Sequence, residues 1–130
     1  MSSVAVLGAG SWGTTFAKVL ADAGCDVTIW ARRSEVAREI HETRRNSGYL
    51  RSINLPANLD ATDSLEKALE GASQVYVAVP SQQLRDTIAI AAPLMEPDCL
   101  VISLMKGVEA LTGLRMSEVL HQAGGIDPAR

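Results

Sequence analysis

The chain has 130 residues, 47% of them apolar, and its 12 basic and 15 acidic residues leave a formal charge of −3. That is one domain's length with enough apolar material for a core, which excludes wholesale disorder, and the weakly acidic balance excludes a dedicated nucleic-acid binder while allowing a local anion site. Two cysteines, Cys25 and Cys99, cannot build a disulfide scaffold or a four-cysteine zinc site, and His41 and His121 stand isolated, so no metal is expected.

Ser3 to Leu7 is apolar on both alternations, the pattern of a central parallel strand covered on both faces. Gly8-Ala9-Gly10-Ser11-Trp12-Gly13 follows at once. Trp12, Phe16, Val19 and Leu20 then recur at helical spacing, with small alanines between them, until Gly24, which predicts a helix with an apolar stripe. Val27 to Trp30 reads as a second strand, so strand, glycine loop, helix and strand make one βαβ unit. Ser34 is expected to cap the next helix, running to about Arg45 with Val36, Ala37 and Ile40 toward the core. From Asn46 to Ala61 the periodicity fails around Gly48, Asn54, Pro56 and Asn58, predicting a long connection that ends in a short strand near Leu59 to Thr62; its length suits a ligand-facing or interface role.

Asp63 and Glu66 read as a capping box for a short helix ending at Gly71. Val75 to Val79 predicts a fourth strand stopped by Pro80, and a helix from about Gln82 to Ala92 presents Leu84, Ile88 and Ala91. Leu100 to Leu104 is the fifth strand, followed by the junction Met105-Lys106-Gly107. A last helix spans about Leu114 to Gln122, and Gly124-Gly125 and Asp127-Pro128 read as turn or linker. This alternation predicts an α/β fold: a Rossmann-type parallel sheet with helices on both faces, in three layers. Five strands against the six of a full dinucleotide-binding sheet make residues 1–130 the NAD(P)-binding domain of a longer polypeptide; a complete small five-strand protein is the alternative. The first apolar run is interrupted by Gly8, Gly10 and Gly13, and residues 88–105 by Pro93, Glu96, Pro97 and Asp98. No secretory signal or membrane insertion is therefore expected, and the protein reads as cytoplasmic.

The glycines divide the work of holding a dinucleotide. Gly8 permits the tight turn, Gly10 keeps side-chain atoms away from a pyrophosphate, and Gly13 lets the helix approach the sheet. The helix start offers N–H groups and partial positive charge to the phosphates, and Ser11 adds a hydroxyl. Trp12 either packs under the first strand or lies over the pyrophosphate and nicotinamide side. No Gly-Lys-Ser or Gly-Lys-Thr follows, which excludes a mononucleotide P-loop but leaves a flavin open.

About twenty residues beyond the loop, where an NAD-selective site places a carboxylate, the chain has Trp30-Ala31-Arg32-Arg33. Asp26 is at the wrong end of that strand. Guanidinium groups pair with a 2′-phosphate that a carboxylate would repel. Residues 32–51 hold six arginines and three glutamates, a local net of +3, with Arg38, Arg44 and Arg45 read as solvated helix surface. NADP(H) is thus the preferred cofactor, with NAD(H) allowed.

At the fourth strand's end, Pro80 either fixes the backbone where a nicotinamide riboside passes or merely ends the strand. Lys106, one of three lysines, stands after an apolar strand and before glycine. Its ammonium would meet a substrate anion there, or else be solvated. Neither histidine follows a strand end, so no proton acceptor is found and the catalytic base is expected in another part of the polypeptide.

Several stretches together resemble the bacterial NAD(P)-dependent glycerol-3-phosphate dehydrogenase family. They are Gly8 to Thr14, Trp30-Ala31-Arg32, Asn46 with Tyr49-Leu50, Leu55-Pro56, Val79-Pro80-Ser81, and Lys106-Gly107-Val108-Glu109 with Thr112-Gly113. The similarity runs from Val4 to Glu118 and covers only the amino-terminal part of the family. It implies that Ser11, Trp12, Arg32, Arg33 and Tyr49 contact the dinucleotide, and that Lys106 contacts both cofactor and sn-glycerol 3-phosphate. It also implies reduction of dihydroxyacetone phosphate for phospholipid synthesis, with a proton-relay lysine in a following all-helical domain. Arg51, where a proline often stands, and Met105, where a small or hydroxyl residue often stands, depart from the pattern. The partner is then a small phosphorylated molecule, and a homodimer is left open for the full-length protein. The rivals are the cofactor domain of another two-domain hydroxy-acid dehydrogenase and a non-enzymatic dinucleotide-sensing domain.

Overall fold

In the computed structural model, which describes residues 2–130, the double alternation of the first strand is satisfied on both sides. Val4 and Val6 of β1 (Ser3–Leu7) enter one apolar core and Ala5 and Leu7 the other, all buried. Around β1 the chain lays down α1 (Ser11–Asp22), β2 (Asp26–Trp30), α2 (Ser34–Thr43), β3 (Leu59–Thr62) and α3 (Leu65–Leu69). It continues through β4 (Gln74–Val77), α4 (Leu84–Ala91), β5 (Leu100–Ser103) and α5 (Met116–Gly124). The sheet has the order β3-β2-β1-β4-β5, and every pair is parallel. Ala17, Ala21, Ala37 and Ile40 from α1 and α2 close one core; Leu69, Leu84, Ile88 and Val119 from α3, α4 and α5 close the other. This is the three-layer Rossmann fold. Because the chain leaves β1 for β2 on one side and returns to β4 on the other, the connections diverge beyond the carboxyl end of β1 and open a crevice there.

Several local expectations are corrected. The predicted apolar stripe of α1 is not its buried face: Trp12 and Val19 are each 55% exposed, while Gly13, Thr14, Ala17 and Ala21 face the sheet. The first turn docks so closely that only the small-residue side fits, and Phe16 is left to stack beside Tyr76, with ring centroids 5.3 Å apart. Ser34 is the first residue of α2 rather than its cap, a place taken by Arg33, and the helix stops at Thr43 with Arg44 left-handed at φ 58°. Val36 packs half-buried against the core as predicted and also lines the crevice. The cap of α3 is Ser64, whose hydroxyl accepts the Lys67 N–H at 3.3 Å, one residue later than predicted. Strand β4 ends at Val77 rather than Val79, α4 follows a single 3-10 turn at Ser81–Gln83, and Gly124 lies inside α5. Both cysteines are unpaired thiols, Cys99 buried. No described helix is long and apolar enough to cross a membrane.

Candidate functional site

The crevice beyond β1, β2 and β4 is a cleft of about 530 Å³. Its floor is the glycine loop, one wall is the exit of β2 from Trp30 to Arg33, and the other is Ala78 to Pro80 with Gln83; Tyr49 reaches it from the long connection. Of the residues singled out in the sequence, Gly8, Gly10, Ser11, Trp12, Gly13, Arg32, Arg33, Tyr49 and Pro80 all line it, and Lys106 does not.

Steric demands separate the three glycines. Gly8 has φ +119°, and a Cβ there would sit 2.5 Å from the Ala78 carbonyl oxygen, so this residue is pressed against the exit of β4. A Cβ on Gly13 would lie 2.2 Å from the Gly8 carbonyl oxygen; its close partner is the loop's own backbone more than the sheet. A Cβ on Gly10 would meet nothing within 4 Å. Gly10 is also the N-cap of α1 and supplies no side-chain cap, so the first-turn N–H groups face the cleft without a side-chain partner. An open backbone surface at an uncapped helix start fits a diphosphate. Trp12 lies at the cleft and not under β1, edge-on to Phe16 at 5.7 Å.

Two braces escaped the sequence reading. Asn46 is buried, and its Nδ2 donates to the Ala9 carbonyl and to the Thr14 hydroxyl, both at 2.9 Å. Its own carbonyl accepts the N–H groups of Tyr49 (3.1 Å) and Leu50 (2.7 Å), so one residue ties the glycine loop to the turn that carries Tyr49. The far side of that turn is fastened by Ser47, whose N–H and hydroxyl both donate to the Glu39 carboxylate and hold it below its ordinary pKa. Across the cleft, Arg32 Nη1 donates to Gln83 Oε1 at 3.1 Å and links the two walls. A polar residue in an aperiodic loop and a glutamine after a proline carry no local signal of such contacts.

The rim is cationic. Arg32 and Arg33 are exposed, and Arg33 meets only Glu35, at 3.8 Å in a solvated pair of little strength. No aspartate or glutamate lines the cleft. Arg44, expected on a solvated helix face, instead turns inward, with Nη1 donating to the Leu59 carbonyl and lying 3.9 Å from Asp60. His41 pairs with Asp60 at 2.7 Å in a separate recess beside β3, and His121 bonds the Ile126 carbonyl at 2.9 Å. Burial raises the Asp60 pKa, but the bonds from His41 and the Ala61 N–H outweigh it and leave the group below its usual value. Neither histidine lines the cleft, and among the described residues no cluster of three or more His, Cys, Asp or Glu could hold a metal ion. Lys106 is exposed just beyond β5, followed by Gly107 at φ +97°.

Comparison with known proteins gives a consistent result. Residues 3–129 match the family model described as the N-terminus of NAD-dependent glycerol-3-phosphate dehydrogenase. The chain is 60% identical over 123 residues to an NAD(P)+ glycerol-3-phosphate dehydrogenase of Leifsonia xyli, covering 95% of this chain and 33% of that protein. Among solved structures it superposes on glycerol-3-phosphate dehydrogenase from Coxiella burnetii with a TM-score of 0.89 at 32% identity, covering 96% of this chain and 38% of that one. It superposes on the Saccharomyces cerevisiae enzyme with a TM-score of 0.85 at 27% identity, covering 96% and 40%. The chain thus spans about a third to two-fifths of the length of the relatives it matches.

Proposed function

The chain belongs to the family of NAD-dependent glycerol-3-phosphate dehydrogenase N-terminal domains, and from that premise we propose that it is the cofactor half of an enzyme interconverting sn-glycerol 3-phosphate and dihydroxyacetone phosphate. The observation that carries the cofactor assignment is the cleft itself: an open Gly10 surface at an uncapped helix start, walled by two guanidinium groups and no carboxylate. A bound nicotinamide supplies hydride chemistry, which the protein need only orient. Gly10 and the N–H groups beside Ser11 and Trp12 take the diphosphate, and the Ser11 hydroxyl adds a donor. Arg32 and Arg33 take the adenosine 2′-phosphate, which makes NADP(H) the preferred cofactor and NAD(H) a weaker one. Tyr49, Trp12 and Pro80 border the bound rings and exclude water. Lys106 supplies positive charge to the phosphorylated substrate. The proton relay belongs to the remainder of the polypeptide, since neither His41 nor His121 reaches the cleft. The full-length protein acts in the cytoplasm on a small phosphorylated substrate that feeds glycerophospholipid synthesis.

Titration of NADPH and NADH against wild type and Arg32→Ala tests the cofactor reading, with Trp12 and Trp30 at the cleft as fluorescent reporters. NADPH affinity is expected to fall about tenfold or more, the scale of one charged hydrogen bond, while NADH affinity changes little. Equal losses would show that Arg32 senses the part shared by both cofactors. Turnover of dihydroxyacetone phosphate by the full-length enzyme, abolished for residues 1–130 alone, tests the division of labour.

A further inference from the structure

Lys106 sits in a segment whose middle the apolar core does not hold; Met105 and Leu114, at its two ends, pack against that core. In the loop between β5 and α5, Val108 is 51% and Leu111 97% exposed, and the backbone closes on itself through the Val108–Arg115 bridge, the Glu109 N–H to the Leu114 carbonyl and the Gly113 N–H to the Glu109 carbonyl. Side chains from the start of α4 grip it instead. The Gln82 amide uses both ends: Nε2 donates to the Val108 carbonyl at 3.1 Å, and Oε1 accepts the Ala110 N–H at 2.8 Å. Between those two anchor points Glu109 is buried, and Arg85 meets it with a bidentate fork, Nε to Oε2 and Nη2 to Oε1, each 2.9 Å. Thr112 Oγ1 donates to the same carboxylate at 2.6 Å.

Stability alone does not explain this arrangement. An ion pair whose guanidinium stays 35% exposed adds only modest stability, whereas a planar bidentate pair fixes one geometry. The geometry it fixes is that of Lys106, three residues before Glu109, with Gly107 at φ +97° as the intervening pivot. The gripping segment is also a cleft wall: Pro80 and Gln83 line the cleft while Gln82 and Arg85 hold the loop. We propose that Gln82, Arg85 and Glu109 are positioning residues that set the Lys106 ammonium relative to the cofactor cleft, a role that rests on the reading of Lys106 as the substrate-phosphate group. They touch neither substrate nor cofactor and act through the lysine.

The test is steady-state reduction of dihydroxyacetone phosphate by the full-length enzyme, with NADPH affinity and thermal midpoint measured in parallel. Gln82→Ala removes an exposed side chain and should leave the midpoint nearly unchanged; Glu109→Gln is the stronger perturbation. Each is expected to lower kcat/KM about 5- to 50-fold, mostly through a higher KM for dihydroxyacetone phosphate, with NADPH affinity within about twofold of wild type. In a Lys106→Ala background neither should cost anything further, because the group they position is gone. Losses of equal size with and without Lys106, or Gln82→Ala and Glu109→Gln variants retaining more than about half of wild-type kcat/KM, would overturn the positioning role while leaving Lys106 in place. A silent Lys106→Ala removes the substrate role of the lysine and the positioning role with it.

Discussion

The loops that leave β1 and β5 start from the same carboxyl end of the sheet, yet opposite means hold them. Residues 8–13 are fixed by backbone contact: the Gly8 carbonyl lies where a side chain on Gly13 would go, and the exit of β4 lies where one on Gly8 would go. The loop carrying Lys106 is fixed by a guanidinium and an amide reaching across 24 to 28 residues of sequence, joined by a hydroxyl of the loop itself, all converging on Val108 to Ala110. The first loop is thus held by contacts that carry no ionisable group, whereas part of the hold on the second depends on the ionisation of one carboxylate.

The sharpest break in that comparison is expected from Gly13→Ala. Its new Cβ meets backbone that no rotamer change can clear, and the cost should be about 3 kcal/mol or more, with NADPH binding lost. A thermal midpoint within a degree or two of wild type would show that the loop yields more than its contacts suggest. Asn46→Ala comes next, because the Ala9 carbonyl and the Thr14 hydroxyl lose their donor in a buried setting. About 1–3 kcal/mol of destabilisation is expected, together with weaker dinucleotide binding, measured by denaturant unfolding and by titration.

A pH series separates the two loops. The fork from Arg85, and then the Thr112 hydroxyl, holds the Glu109 carboxyl below the ordinary glutamate range. A lowered folded-state pKa adds stability in full above the unfolded value and loses it as pH falls through the folded one. The midpoint difference between wild type and Glu109→Gln should therefore shrink on acidification from about pH 7 to about pH 3. A constant gap would mean that Glu109 contributes packing and no charge. The smallest effect on stability belongs to Gly10→Ala, whose Cβ enters open space. The midpoint should barely move while dinucleotide affinity drops severalfold, since the added methyl occupies the surface reserved for the diphosphate.

Much of the cradle was legible in the residue order because its causes are local. Glycine spacing, a doubly apolar strand before it and arginines in place of a carboxylate after β2 each act within a few residues, and the glycines and arginines line the cleft. Caps shifted by a residue, as at Ser64, because neighbouring side chains of similar chemistry compete for one N–H and only the chain's entry angle selects between them.

Where elements meet at short range, residue order was a poor guide. The helical spacing of Trp12, Phe16, Val19 and Leu20 marked an apolar stripe on α1, but hydrophobicity says nothing of how close a helix axis will come; the Gly8–Gly13 contact brings α1 in so tightly that alanines and Thr14 occupy the interface. Asn46 bracing Ala9 across 37 residues, Gln83 bonding Arg32 across 51 and Arg85 enclosing Glu109 across 24 are likewise products of the assembled sheet. Periodicity and backbone sterics operate along the chain and can be read from it, whereas a hydrogen-bond partner is chosen by which groups the packed layers bring within 3 Å, a distance that exists only after the fold has formed.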